Sequence, residues 1–254
     1  MLEYRTLDPL QVRIDTHRRY SRHDDHPDPA VRSALGYRPG LDLLDVGCGT
    51  GEFLRSLAPS TGRLAGVDTS PAAVAALRGV PGVEAHEADA MVLPFADASF
   101  DAVTARHMLY HVAEPLAAIR EAHRVLRPGG RFAAVVNIPH PAPALQGLAS
   151  GAVADHGLDP AVFQIPVDAS NLPGLVASVF GIVEVERHDN ALVFPGPEPM
   201  VAYAVSMLTG FGVPDDHPLR PSIVDAIAER AAALFASAAT VEDPKGYVVV
   251  TAVR

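Results

Sequence analysis

The segment LDLLDVGCGTG at 41–51 constrains this chain more than any other. An apolar run ends in Gly47, Gly49 and Gly51, and helix-like spacing follows at once. Glycine has no Cβ, so the backbone can turn tightly there beside a ligand. A dinucleotide-binding fingerprint needs a further glycine three residues after Gly49. That position is Glu52, whose charge would repel a pyrophosphate at a helix N-terminus, which disfavours NAD and FAD. No Gly-Lys-Ser/Thr follows the loop, and the only lysine of the chain is Lys245, so a nucleoside triphosphate cradle is excluded too.

From 41 to 137, strand-like runs alternate with helix-like ones. Strands are predicted at 42–47, 63–67, 83–87, 100–105 and 131–137, and helices at 50–58 and 71–78. Such alternation implies a parallel sheet covered by helices. Before the last of these strands, Leu116, Ile119, His123 and Leu126 fall on one helical face, and Arg127-Pro128-Gly129-Gly130 stops that helix. Residues 1–40 are polar and broken by Pro9, Pro27, Pro29 and Pro39, which predicts an arm with one or two short helices. After Asn137 the pattern loosens to about 170, a stretch that reads as a lid ordered by substrate. A helix at 172–180 and a strand at 182–187 come next. Pro199 then starts a helix carrying Met200, Tyr203, Met207 and Leu208, whose apolar face suits either a core or a substrate pocket. Ile223, Ile227, Ala231, Leu234 and Phe235 fall at helical spacing, and 246–253 is a Val-rich strand.

Thirty acidic residues against twenty basic ones give a formal net charge of -10. No basic stripe exists to neutralise a phosphate backbone, which argues against a nucleic-acid substrate. One cysteine permits neither an internal disulfide nor a thiolate metal cluster and fits a reducing, cytoplasmic setting. No apolar run reaches the roughly 18 residues of a membrane span, so no anchor or signal peptide is expected. The run His23, Asp24, Asp25, His26 holds metal-capable groups, but consecutive side chains cannot converge on one ion, and no metal site is expected.

Asp45 followed by the three alternating glycines resembles the first motif, D/E-x-G-x-G-x-G, of the class I S-adenosylmethionine-dependent methyltransferases. Asp68 ends the second strand in GVDTS, where an acid can accept from both hydroxyls of a ribose. Asp89 lies in EADA at 87–90, LPFADASFDAV spans 93–103, ARHMLYHVAEP spans 105–115 and LRPGGRF spans 126–132. All four are similar to the small-molecule enzymes of the methyltransferase 11 domain type, and the resemblance covers about 41–137. It implies a Rossmann-like seven-stranded mixed sheet in the order 3-2-1-4-5-7-6, with helices on both faces and a small helical cap. The domains expected are an N-terminal arm over the active site at 1–40, a cofactor-binding core at 41–195, a cap insertion at 196–240 and a final core strand at 241–254.

The same resemblance implies S-adenosylmethionine as cofactor and S-adenosylhomocysteine as product. Its cofactor contacts would be Asp45, Gly47, Cys48, Gly49, Gly51, Asp68, Thr69, Asp89 and Ala90, with Asp89 taking the adenine amino group and the Ala90 amide a ring nitrogen. Cys48 fits as a small residue packed beside the cofactor rather than as a nucleophile. Arg106 either salt-bridges the cofactor carboxylate or faces solvent. Tyr20, in the arm, either hydrogen-bonds that carboxylate or substrate, or lies on the surface. His107, His111 and His140 are the candidate general bases, since imidazole accepts a proton near pH 7. For His111 a structural role is the alternative. The expected reaction moves a methyl group to an O, N or C atom of a small molecule, in specialised metabolism, by a monomer or homodimer. The rival readings are a non-methylating enzyme of the same fold and a non-catalytic scaffold.

Overall fold

The computed structural model describes residues 8–24, 26–58, 62–160 and 166–254. The chain divides into two compact units. One comprises Met1–Asp25, His140–Gln164 and Asp189–Gly246; the other comprises His26–Pro139, Ile165–His188 and Tyr247–Arg254. The boundaries expected at 40, 195 and 240 differ from this division. The 1–40 segment is shared between the units, and the helical one draws on three stretches of chain rather than on 196–240 alone.

The larger unit is built on a seven-stranded sheet: β1 (Leu43–Val46), β2 (Leu64–Asp68), β3 (Val83–Glu87), β4 (Phe100–Arg106), β5 (Leu126–Asn137), β6 (Val183–Phe194) and β7 (Val241–Val253). β6 and β7 each have residues in both units. The order is β3-β2-β1-β4-β5-β7-β6, as the resemblance implies, with β1 to β5 parallel and β7 antiparallel to β5.

The two-residue period of the strands separates two cores. Leu44, Val46, Val103, Ala105, Phe132 and Ala134 face α5 (Pro115–Val125) and α7 (Leu172–Phe180). Leu43, Ala102, Ala133 and Val135 face α2 (Pro27–Ala34), α3 (Glu52–Leu57) and α4 (Pro71–Leu77). Helices on both faces explain why β1 is buried at every position.

The helical unit packs α1 (Asp8–Tyr20), α6 (Pro143–Asp155), α8 (Pro197–Ser206) and α9 (Arg220–Phe235). Its core holds Leu145, Leu148 and Val153 of α6, Met200 and Ala204 of α8, and Ile223, Ile227 and Ala231 of α9. The buried Asp243 carboxylate accepts the amides of Ala144 and Leu145, each at 2.9 Å, and so closes the exposed N–H end of α6.

Several sequence expectations are corrected here. The loose stretch 138–170 contains α6, thirteen residues with a buried face, whose periodicity Gly147 and Gly151 hide. β5 begins at Leu126, directly after α5, and the Pro-Gly-Gly residues form an irregularity between the pairs Phe100↔Leu126 and Ala102↔Arg131. The buried stripe of α5 is Ala118, Ile119, Ala122 and Val125. α8 starts at Pro197, two residues before Pro199, and Leu234 of α9 is exposed. Among the described residues no helix is long and apolar enough to cross a membrane, and no group of three His, Cys, Asp or Glu could hold a metal ion. Asp25, one of the four in the His23–His26 run, lies outside the described residues.

The larger unit also carries an acid-sensitive element. Arg124 Nε donates to Glu121 at 2.7 Å and the Leu93 amide donates to it at 2.8 Å, which holds its carboxyl below the ordinary value of 4.5; Arg63 does the same to Glu84. A carboxyl with a depressed folded-state pKa stabilises the protein above its unfolded value, and that stability is lost as pH falls through the folded one. The contribution of these two carboxyls to the melting temperature is therefore expected to be level above about pH 5 and to fall below it. Glu121→Gln should flatten the acid limb in calorimetric scans, and an unchanged limb would remove Glu121 as a source of it.

Candidate cofactor site

The glycine loop leaves the carboxyl end of β1 and is tied to the end of β2. The amides of Gly47 and Cys48 donate to the Val67 carbonyl at 2.7 and 3.0 Å, and the Gly49 amide donates to Asp68 Oδ2 at 2.9 Å. Two of the glycines are required by neighbours in the chain itself. A Cβ on Gly47 would lie 2.6 Å from Met108 Cβ, and one on Gly51 would lie 2.3 Å from Leu77 Cδ2; both residues have left-handed φ, +69° and +75°. Cys48 is buried, and burial followed by the charges of Asp45 and Asp68 pushes its thiol well up. It has the character of a packing residue rather than a nucleophile.

Asp68 is held from both sides, with Oδ1 accepting the Ser70 amide and Oδ2 the Gly49 amide, both at 2.9 Å. Each carboxylate oxygen has a second lone pair, so acceptor capacity is left over at this half-buried strand end. Thr69 next to it is exposed. The Ala88 amide donates to the Asp68 carbonyl, which leads the chain from β3 to Asp89. Asp89 is exposed, its Oδ1 accepting the Met91 amide at 2.9 Å, and Ala90 is buried. Acceptor side chains after adjacent strands fit a ligand that presents two vicinal hydroxyls and an amino group, as an adenosine does.

Arg106 does not face solvent, its side chain being 13% exposed. Its guanidinium donates to Asp45 Oδ2 at 2.8 Å and to Asp28 Oδ1 at 2.9 Å, and lies 4.2 Å from the centroid of the Phe53 ring. Asp45 is fully buried beneath it. Burial pushes the Asp45 carboxyl up from the ordinary aspartate value, while the Arg106 charge pulls the other way. An anion this deep needs a charged donor, and the guanidinium at the end of β4 supplies it. Asp28, in the first turn of α2, is a member of the site that sequence reasoning missed, because a Pro-Asp-Pro helix start carries no signal of a long-range partner.

After β4 the backbone turns at His107, whose φ of +50° is a strained value for a residue with a Cβ; its amide donates to the Val135 carbonyl at 2.8 Å. The His107 ring meets Tyr247 edge-on at 6.3 Å, and His188 stacks on the same tyrosine at 4.5 Å. Neither Tyr247 nor His188 stood out in sequence. His111 closes the one-turn 3-10 helix Leu109–His111 with its ring against Tyr110 at 4.5 Å. His140 and Tyr20 belong to the helical unit, where His140 is exposed and Tyr20 packs on Phe194.

The sheet order, the acid-and-glycine loop at β1 and the acids after β2 and β3 define the Rossmann-like methyltransferase fold. Residues 44–134 match the methyltransferase domain family. That match supports a class I S-adenosylmethionine-dependent methyltransferase domain in this segment. It is 34% identical over 183 residues to 27-O-demethylrifamycin SV methyltransferase of Amycolatopsis mediterranei, across 69% of this chain and 60% of that one. It is 39% identical over 107 residues to demethylmenaquinone methyltransferase of Staphylococcus aureus, across 39% of this chain and 44% of that one. The chain thus spans less than two thirds of the length of these relatives. The crystal structure of the [4+2]-cyclase SpnF superposes with a TM-score of 0.61 at 22% identity, covering 99% of this chain and 93% of that one, which is a likeness of fold.

Proposed function

We propose that this protein transfers the methyl group of S-adenosylmethionine to an oxygen, nitrogen or carbon atom of a small molecule in specialised metabolism. The observation that carries the reading is the Asp68 carboxylate, anchored by the glycine loop and still able to accept at an open strand end. When bound, the cofactor supplies a methyl already activated by its sulfonium. The protein's share is then to align donor and acceptor, exclude water and take a proton where the acceptor carries one. Asp68 would hold the ribose hydroxyls, Asp89 the adenine amino group, and the Gly47–Gly51 loop the chain between them. The rifamycin relative acts at an oxygen, and the demethylmenaquinone relative is likewise named for a small-molecule acceptor, which supports an acceptor of that size.

His107 is the base we propose, because its strained backbone fixes its position at the carboxyl edge of the sheet. His111 and His140 stay as secondary candidates for that role, and Tyr20 as a candidate contact to the cofactor carboxylate or to substrate. The test is incubation with S-adenosylmethionine and a panel of phenols, alcohols and amines, read by mass spectrometry as S-adenosylhomocysteine release and a gain of one CH2 on the acceptor. His107→Ala is expected to slow turnover by roughly 100-fold while cofactor affinity stays within about twofold. Intact turnover would sink the base assignment and leave the methyltransferase reading standing. The near full-length likeness to a cyclase favours one second reading, a non-methylating reaction in the same site. An acceptor converted without a mass gain or S-adenosylhomocysteine release would select it.

A further inference from the structure

The buried network around Arg106 holds one acid more than ion pairing needs. Asp45 alone would satisfy a bidentate guanidinium, yet Asp28 occupies the remaining edge at 2.9 Å, and the side chains of Asp45, Asp28 and Arg106 are 0%, 12% and 13% exposed. The trio carries a formal charge of -1. Unbalanced charge away from water is costly, so its retention calls for a compensating cation or a structural role. Two arginines of the flanking helices are engaged elsewhere: Arg55 of α3 donates to the carbonyls of Thr50 and Ala76, and Arg32 of α2 donates to Ser56. His26 Nδ1 stands 3.4 Å from Asp28 Oδ1 on a half-exposed ring, and Asp68 adds a further negative charge at the neighbouring strand end.

S-adenosylmethionine bears an ammonium, a carboxylate and a sulfonium, a net charge of one positive; S-adenosylhomocysteine has lost the sulfonium charge and is neutral. We infer that Asp28 is a positioning residue that also selects charge: by closing Arg106 between two carboxylates it fixes Asp45 at the root of the glycine loop and leaves the trio one negative charge, which favours the cationic methyl donor over the spent product. The inference rests on the reading that this site takes S-adenosylmethionine. Asp28 lies outside the segment 44–134 matched by the family. It acts through Arg106 and not by touching the reacting atoms.

The alternative is a purely structural Asp28, an acid at the start of α2 that helps the helix and pins Arg106. The two differ in what neutralisation does to a pair of ligands that differ by one charge. Titration calorimetry of the whole chain with S-adenosylmethionine and with S-adenosylhomocysteine, on wild type, Asp28→Asn and Asp28→Glu, separates them, with thermal unfolding of each variant alongside. Asp28→Asn is expected to weaken the methyl donor by about tenfold and the product by less than about threefold. Asp28→Glu, which keeps the charge, should bring the ratio of the two dissociation constants back to within about twofold of wild type. Equal weakening of both ligands overturns charge selection and leaves packing, as does a glutamate variant whose ratio moves as far as the asparagine one. Should Asp28→Asn be too unstable to purify, Asp28→Ser supplies the neutral arm, read by the same ratio. Wild type that binds neither ligand would instead defeat the cofactor reading on which the inference stands.

Discussion

Asp68→Ala is expected to abolish measurable binding of S-adenosylmethionine and S-adenosylhomocysteine, a loss of at least about 100-fold. The carboxylate has two duties. It accepts the Gly49 and Ser70 amides, and its remaining lone pairs are the acceptors proposed for the ribose. A hydrogen bond to a charged group contributes about 1.5–3 kcal/mol, so losing a pair to the ligand reaches this range before the loop is counted. The Gly49 amide is then left without its partner, and the loop loses its tie to β2. Asp68→Asn, with one acceptor oxygen, should fall between the two. Calorimetric titration with both ligands, and NADH as a control, decides the matter. An alanine variant that binds like wild type would remove Asp68 from the site, whatever the enzyme does.

Gly51→Ala should be the most damaging single methyl in the loop, costing about 2–5 kcal/mol of stability and about 5–15 °C in melting temperature. Two causes add. The left-handed φ of +75° is disfavoured for any residue with a Cβ, and the new atom would stand 2.3 Å from Leu77 Cδ2. Leu77 cannot simply swing aside, because it is fully buried and its other methyl already sits 2.7 Å from where a Cβ on Gly66 would be. Gly79→Ala provides the contrast. It shares a positive φ, +92°, but has no atom within 4 Å of the added methyl, so its loss should be the backbone part alone, about 1–2 kcal/mol. If the two variants melt together, the crowding argument fails.

These contrasts show what the sequence could and could not display. The alternation of β1 through β5 with their helices was legible because β1, β2 and β4 are short, largely apolar runs bounded by turn residues, and Asp45, Asp68 and Asp89 stand at or just beyond strand ends. α6 was invisible because alanine and glycine dominate it, and a face of small residues gives little periodic contrast. The loop itself could be located, but not the reasons for its glycines. Met108 and Leu77, which require Gly47 and Gly51, lie 61 and 26 residues away along the chain. Asp28 with Arg106, and Tyr247 with His107 and His188, were hidden for the same reason. Pairings across such separations are set by sheet order and register, and no local pattern announces them.

The place of β7 in the sheet has a consequence for how the chain is made. β6 has β7 as its hydrogen-bonded neighbour, and β7 starts at Val241, whereas β6 ends at Phe194. A ribosome delivering this chain in order therefore presents β6 with no ladder to join until α8 and α9 have also emerged. During that interval the exposed Val185 belongs to an unmatched strand edge, with the exposed Ile182 just before it, and such an edge invites pairing with other chains. The charged residues Glu184, Glu186 and Arg187 lie along the same strand, and charges so placed disfavour pairing with a wrong partner.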